Sequence, residues 1–449
     1  MQVTYLTQTS PAAPAHVLYA HCAYGMARPV SGGFRLASGS ATLEAAVDSA
    51  VHKVRLFKYT PPPAIAEHLR SDYISNYLRG RHHQLLEVRL WNVLPSSVWT
   101  DDPEKADFFV VPHSLSSHWF NPWTGGWKGI DRYMDTALGP FLEHIFFDLP
   151  FYNRSAGRDH LFAYAIDNGP EMDCHGRNGT FAEAYLHHPV AISMIRAMLK
   201  VGYYGNRDPK WSWRPNVDVA VPMFNEFHLR NDPEPWQLFA QNATRRDVFF
   251  RGQNVKGEVS CPGSAVPAFG CSIGARPLIM AHMREPEWVN RSSQRSMGSA
   301  TYALCPAGFA CWSTRLFDAI DRLSIPAIFA AGAIQPFETF LDWPTFSVSI
   351  NNHEATDALS RLHNLAATMA STCAASSCQP MCAACRVLEP VQMLQRLSVV
   401  RRWFLYDPST SSSAWGLFLL ELLCRTSHAR AHEQGVCAPI MKDWQRGIP

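Results

Sequence analysis

Four side chains in one stretch have the types and spacing to grip a phosphorylated ligand. Within "LCPAGFACWSTRLFDAIDRLSIPAIFAAGAIQPFETFLDW" (304–343), Ser313, Arg315 and Asp318 fall at a helix start, and Glu338 stands just past the next apolar strand. Ser313 is suited to cap a helix, and the exposed N–H groups beyond it favour an anion. Residues three apart share a helix face, so Arg315 could clamp a diphosphate while Asp318 accepts from ribose hydroxyls. Gly308 would let the backbone bend close to the ligand. An ordinary solvated helix face with an ion pair would carry the same residues, so periodicity alone leaves both readings open.

Such a site needs a sheet behind it. From Lys53 onward short apolar strands alternate with longer helical stretches, a pattern that predicts α/β units on parallel sheets. In the first half the predicted strands are "VRLFKY", "ADFFVVPH" and "HLFAYAI", with helices around 82–93, 129–147 and 181–201. After "RDPKWSWRPNVD" a second series follows: "DVAVPMF", "DVFFRG", "TYALCP", "IPAIFA" and "FSVSI". The predicted division is a loosely ordered lead-in over 1–50, a first Rossmann-like domain over 51–215, a second over 216–410, and closing helices over 411–449. In open α/β sheets ligands sit at the carboxyl ends of strands, and "TYALCP" ends at such a point.

Lysine plus arginine number 40 against 38 acidic residues, which argues against nucleic acid as the main partner. No stretch approaches the ~20 apolar residues of a membrane helix. The N-terminus lacks the basic start and apolar core of a signal peptide, so no signal or anchor is expected in this chain. Twelve cysteines point the other way, toward an oxidising lumen. Cys373, Cys378, Cys382 and Cys385 form one cluster; zinc, local disulfides and free thiols are all open there. No Asp-x-Asp pair occurs, so a metal on the diphosphate is not expected.

The motifs together resemble the exostosin family, glycosyltransferase family 47. "CPAGFACWSTRLFDAIDRLSIPAIFAAGAIQPFETFLDW" is similar to its Cys-Pro-x-Gly loop, Ser-x-Arg-Leu helix and Pro-Phe-x-Glu element. "TDDPEKADFFVVPH", "FYNRSAGRDHLFAYAIDNGP" and "DVFFRGQ" resemble three further family elements in the right order. The resemblance implies a GT-B fold, two Rossmann-like domains facing across a cleft, with the donor in the C-terminal one. It implies inverting transfer from a nucleotide-sugar, a UDP-sugar foremost, to a polysaccharide or glycoprotein glycan in the Golgi lumen. No cofactor is implied beyond that co-substrate, and a homo- or hetero-oligomer is compatible with it.

On that basis Arg251, Gly308, Ser313, Arg315, Asp318 and Glu338 are the donor-binding candidates. Asp167, following the "HLFAYAI" strand, and His113, ending "ADFFVVPH", are the candidate bases that would take the acceptor's proton. His160 opens its strand at the wrong end for catalysis and is expected to be structural, bonded to Arg158 or backbone; Asp107, Arg158 and Asp159 are expected to brace the fold. Trp119, Trp123 and Trp127 offer flat rings for a sugar chain, with core packing as the equal alternative. Asp318 stands where the family usually has Glu, and Gln253 where many members have Arg. These departures support a second reading, a weakened pseudo-glycosyltransferase that binds glycan or stabilises a partner.

Overall fold

The computed structural model describes residues 43–70, 86–120, 127–165, 189–203, 205–206, 213–214, 217–224, 248–250, 275–282, 297–298, 300–307, 313–329, 333–350, 355–374, 389–426 and 437. The first part of the chain contributes α1 (Leu43–Lys53), β1 (Leu56–Lys58), α2 (Pro63–His68), α3 (Leu86–Val93), β2 (Phe108–Val110), α4 (Leu115–Phe120) and α5 (Trp127–Tyr133). A π turn over Met134–Leu138 leads into α6 (Gly139–Phe147), then α7 (Phe151–Ser155), β3 (His160–Ala163), α8 (Pro189–Ala197), β4 (Leu199–Gly202), β5 (Gly205–Asn206) and β6 (Val219–Ala220). The second part contributes β7 (Val248–Phe249), α9 (Ala275–His282), β8 (Tyr302–Pro306), α10 (Thr314–Asp321), β9 (Ile325–Phe329), β10 (Ala333–Ile334) and β11 (Val348–Ser349). It closes with α11 (Ala355–Ala374), α12 (Glu389–Val400) and α13 (Ala414–Leu423).

These strands form two parallel sheets, ordered β1-β2-β3-β4-β6 and β11-β9-β8-β7, so the chain is a mixed α/β protein with Rossmann-like layers. Successive side chains on a strand point to opposite faces. Phe108 and Val110 therefore enter the core shared with the second sheet, while Phe109 and Val111 pack against Ile130, Met134, Leu138 and Leu142. Burial on both faces is why these strands read as unbroken apolar runs.

Three expectations need correction. The helix expected over 181–201 is present as α8 at Pro189–Ala197, but its last residues form β4, where Lys200 is buried and paired across the sheet. Its N–H donates to Asp218 Oδ1 at 3.0 Å and its ammonium lies 3.7 Å from Oδ2, with Arg214 completing the cluster. That pairing fastens β6 to β4, so the strand assigned to the second series belongs to the first sheet, and the sheets change after Ala220. The third is the lead-in. Leu43, Ala46, Val47 and Ala50 form a buried stripe on α1, at i, i+3, i+4 and i+7. Residues 1–42 lie outside the described part.

α1 packs on α13, whose residues are buried all round. Gly416 makes the contact possible: a Cβ there would stand 1.9 Å from the Ser411 carbonyl oxygen and 2.7 Å from Val47 Cγ1. The chain's last described helix thus returns to the first sheet's side. Arg425 secures it, donating to Val217 O at 2.8 Å and to Glu421 Oε2 at 2.7 Å. Cys424 is bonded to Cys437. Among the described residues no helix is long and apolar enough to cross a membrane.

The two sheets are also tied at their carboxyl ends. β5 follows β4 and β10 follows β9, and the two short strands pair antiparallel. Phe337 N–H adds a bond to Ala220 O, at the end of β6, at 3.4 Å.

Candidate active site

Every residue of β8 is buried between β7 and β9, so the strand's carboxyl end is a fixed platform. Ser313, in extended backbone at φ −149°, caps α10 by accepting the Arg315 N–H at 3.4 Å. Leu316, Phe317 and Ile320 bury the inner face of α10, and Arg401 Nη2 holds Asp321 Oδ1 at 2.9 Å. Leu323 ends the helix in left-handed backbone at φ 53°, with Ser324 N–H donating to Ala319 O at 2.9 Å.

With the helix fixed, Arg315 folds back over the strand end. Its Nη1 donates to Ser313 Oγ at 2.7 Å and to Pro306 O at 3.5 Å, and the guanidinium stands 5.3 Å from the centroid of the Phe250 ring. Phe250 directly precedes Arg251. Burial lowers the pKa of Arg315, opposed by the nearby Cys305 and Asp318. The Cys305 thiol is itself pushed up to about 12 by burial, which makes it an inert packing group.

A residue that sequence reasoning missed joins this cluster. Arg276, at the start of α9, donates from Nε to Ala307 O at 3.1 Å. Its pKa falls to about 10, first through burial and then through the charge of Arg315. Its sequence neighbours, "IGARPL", carry no motif that marks it.

Glu338 stands on a separate loop. Its Oε2 accepts the Gln335 N–H at 3.0 Å, and Trp343 Nε1 braces the loop by donating to Pro336 O at 3.0 Å. Phe337 between them has φ 55°, a conformation bulky residues avoid and which costs of order 1–3 kcal/mol. Residues 338–344 line an open cavity of 450 Å³. The loop is the one bonded to β6, so Glu338 sits where the two sheets are joined.

In the first sheet, His113 is fully buried, stacked on Phe162 with centroids 4.1 Å apart, and its Nδ1 accepts the Leu115 N–H at 3.3 Å. Burial drives its pKa down to about 3, only partly offset by the Ala163 backbone. A ring with no exposed surface gives an incoming hydroxyl no way in, which speaks against the expectation that the strand end presents it. Beside it, Glu87 is buried with Oε1 accepting the Ser116 N–H at 2.7 Å, and burial raises its carboxyl to about 7. His160 is structural as expected, but its partners are Tyr59 Oη at 2.9 Å and Asp159 Oδ1 at 2.6 Å, not Arg158. Asp107 braces the fold by accepting the Arg55 N–H at 2.8 Å.

The structure therefore brings Ser313, Arg315 and Asp318 together and adds Phe250 and Arg276. Asp167, Arg251, Gly308, Trp123 and Cys378, Cys382 and Cys385 lie outside the described residues; Trp119 falls on α4 and Trp127 on α5.

Comparison with known families decides the class. The Exostosin GT47 domain model matches residues 50–365. The chain belongs to the exostosin family, glycosyltransferase family 47. It is similar to a probable glucuronoxylan glucuronosyltransferase of Arabidopsis thaliana, 28% identical over 287 residues, covering 62% of this chain and 56% of the relative. A second such Arabidopsis protein is 24% identical over 308 residues, covering 66% of this chain and 64% of the relative. A probable beta-1,4-xylosyltransferase of the same plant is 26% identical over 272 residues, covering 58% and 60%. The matches to these three relatives thus span less than two thirds of each relative's length.

Proposed function

We propose that this exostosin-family chain is an inverting glycosyltransferase that moves a sugar from a UDP-sugar to a polysaccharide of the xylan class. The observation that carries the reading is Arg315 folded back on Ser313 and Pro306 at the carboxyl end of β8, where open α/β sheets take their ligands. The strand pairing of β5 with β10 supports a GT-B arrangement, since it draws the carboxyl ends of the two sheets toward one another. The names of the relatives favour glucuronate or xylose as the sugar.

In this reading Arg315 and the start of α10 hold the diphosphate, with Arg251 and Gly308 beside them. Asp318 takes the ribose and Glu338 the ribose or sugar. Charge developing on the leaving diphosphate is met by fixed donors that need no reorganisation, usually a large electrostatic contribution. No metal or other cofactor is assigned a step, because guanidiniums can carry the neutralisation. Asp167, just beyond β3, is the base that takes the acceptor's proton, worth about 10²–10⁴-fold in rate when well placed. Trp119, Trp123 and Trp127 supply stacking faces for the acceptor chain. The Cys424–Cys437 bond favours an oxidising lumen such as the Golgi. The test is release of UDP from UDP-glucuronate and UDP-xylose with xylo-oligosaccharide acceptors; turnover with neither, despite UDP binding, would favour the pseudo-glycosyltransferase reading.

A further inference from the structure

The short helix α7 carries an Asn-x-Ser triplet at Asn153, Arg154 and Ser155, the one of four Asn-x-Ser/Thr triplets in the chain whose asparagine lies within the described residues. Its neighbours on the helix turn toward the protein. Tyr152 is buried, its ring packed so closely on Gly157 that a Cβ there would stand 2.6 Å from it. Arg154 Nε and Ser155 Oγ both donate to Asp159, at 2.9 Å and 2.5 Å, and Arg154 Nη2 reaches Ala106 O at 2.9 Å. Asn153 is left exposed to solvent. Close by lies an aromatic surface that the core does not cover. Phe147 is 66% exposed, against 37% for Leu278 and Val399, the other exposed large apolar side chains among the described residues. Its ring meets Phe146 at 4.8 Å, and Phe146 meets Tyr152 at 5.3 Å, so the patch runs up to α7, with half-buried Leu149 and Phe151 beside it. Clustered exposed apolar surface, unlike a single ring, marks a place that something covers. We propose that Asn153 carries an N-linked glycan whose first sugars lie over the Phe147 ring.

The proposal rests on the lumenal part of the reading above and goes beyond it. Asn-x-Ser is the acceptor sequence for such transfer in a secretory lumen, and the Cys424–Cys437 bond favours the same oxidising setting. In the step, Asn153 Nδ2 gives up one proton and bonds to the anomeric carbon of an oligosaccharide carried on a polyprenyl diphosphate. The bond from that carbon to the diphosphate breaks, and the lipid diphosphate leaves. Transfer meets the chain before it folds, so the fold need only leave the linked sugars room, which the exposure of Asn153 provides. Sugar rings present flat C–H faces that suit an aromatic face, and Phe147 offers one. α7 leads into the amino end of β3, the edge of the parallel sheet opposite the carboxyl ends where ligands bind, so a bulky glycan there leaves the ligand side clear.

The test is to express the full chain behind a secretory leader in a eukaryotic host, treat it with a peptide N-glycosidase in heavy-oxygen water, and map its peptides by mass spectrometry. Position 153 should read as heavy-labelled aspartate in most molecules, and Asn153→Gln should lose that glycoform. Unmodified Asn153 in chains whose Cys424–Cys437 bond is intact overturns the site, because those chains have passed through the lumen. The wild-type map gives this answer whether or not the variant folds. Removing the glycan from the folded wild-type chain should raise the fluorescence of added anilinonaphthalene sulfonate, which reports exposed apolar surface, and Phe147→Ser should abolish most of the rise. No rise on removal overturns the placement over Phe147. Failure of the lumenal reading looks different: protein from the natural source then shows Cys424 and Cys437 as thiols beside a bare Asn153, even where the leader-directed chain is glycosylated.

Discussion

Arg315 Nη1 donates to the hydroxyl of Ser313 at 2.7 Å, and that same hydroxyl caps the helix on which Arg315 rides. One serine thus fixes both the helix start and the direction of its cation. Arg315→Ala should abolish stabilisation by UDP, which for an intact site is about 3 kcal/mol at a hundredfold excess over Kd. Ser313→Ala should cost about 1 kcal/mol of fold stability as a lost cap and weaken UDP as well. Thermal melts with and without UDP check both; an unchanged UDP shift in Arg315→Ala refutes the donor assignment.

Chelation separates guanidinium from metal neutralisation of the diphosphate. Transfer measured in excess EDTA should stay within about twofold of the untreated rate, since fixed donors supply the electrostatic stabilisation. Loss of activity that Mg²⁺ or Mn²⁺ restores would contradict the metal-independent reading.

Three buried groups set an acid response. His113 and His118 are each driven by burial from 6.5 to about 3, so the unfolded chain binds their protons first. Stability should therefore fall as pH drops from about 6.5 toward 3. Glu87 works oppositely: its carboxyl is raised from 4.5 to about 7, so it costs stability as pH rises through that window. It offsets one histidine between about pH 4.5 and 6.5. Glu87→Gln should steepen the acid loss there, by up to about 1.4 kcal/mol per pH unit. Denaturant melts across pH 4 to 8 read the slope; parallel curves for the two proteins would dismiss the Glu87 contribution.

Gly416 is a contact glycine within a helix, set where α13 meets α1. Gly416→Ala would drive its methyl into the Ser411 carbonyl and Val47. Overpacking of this kind typically costs about 1–3 kcal/mol, and backbone is a harder obstacle than a flexible side chain. Chemical denaturation should show a loss at or beyond that range, with UDP affinity per folded molecule unchanged.

Much of this was legible in the linear order of residues. "ADFFVVPH", "TYALCP" and "IPAIFA" read as strands because two-sided burial removes polar residues from them. Ser313 read as a cap, since capping is a local consequence of helix geometry. Family membership was also legible, from motifs in order. The tertiary structure alone decided what depends on distant partners. Asp218 lies beside Lys200 only in the folded sheet, and that pairing places both β4 and β6. Arg276 carries no mark in its local sequence, and only the fold of β8 brings Ala307 to it. His113 looked like a strand-end base until Phe162 and the loop at Leu115 closed over its ring. Local sequence fixes propensity and pattern within a few turns of chain; burial and charge pairing arise from segments far apart, and only folding brings those together.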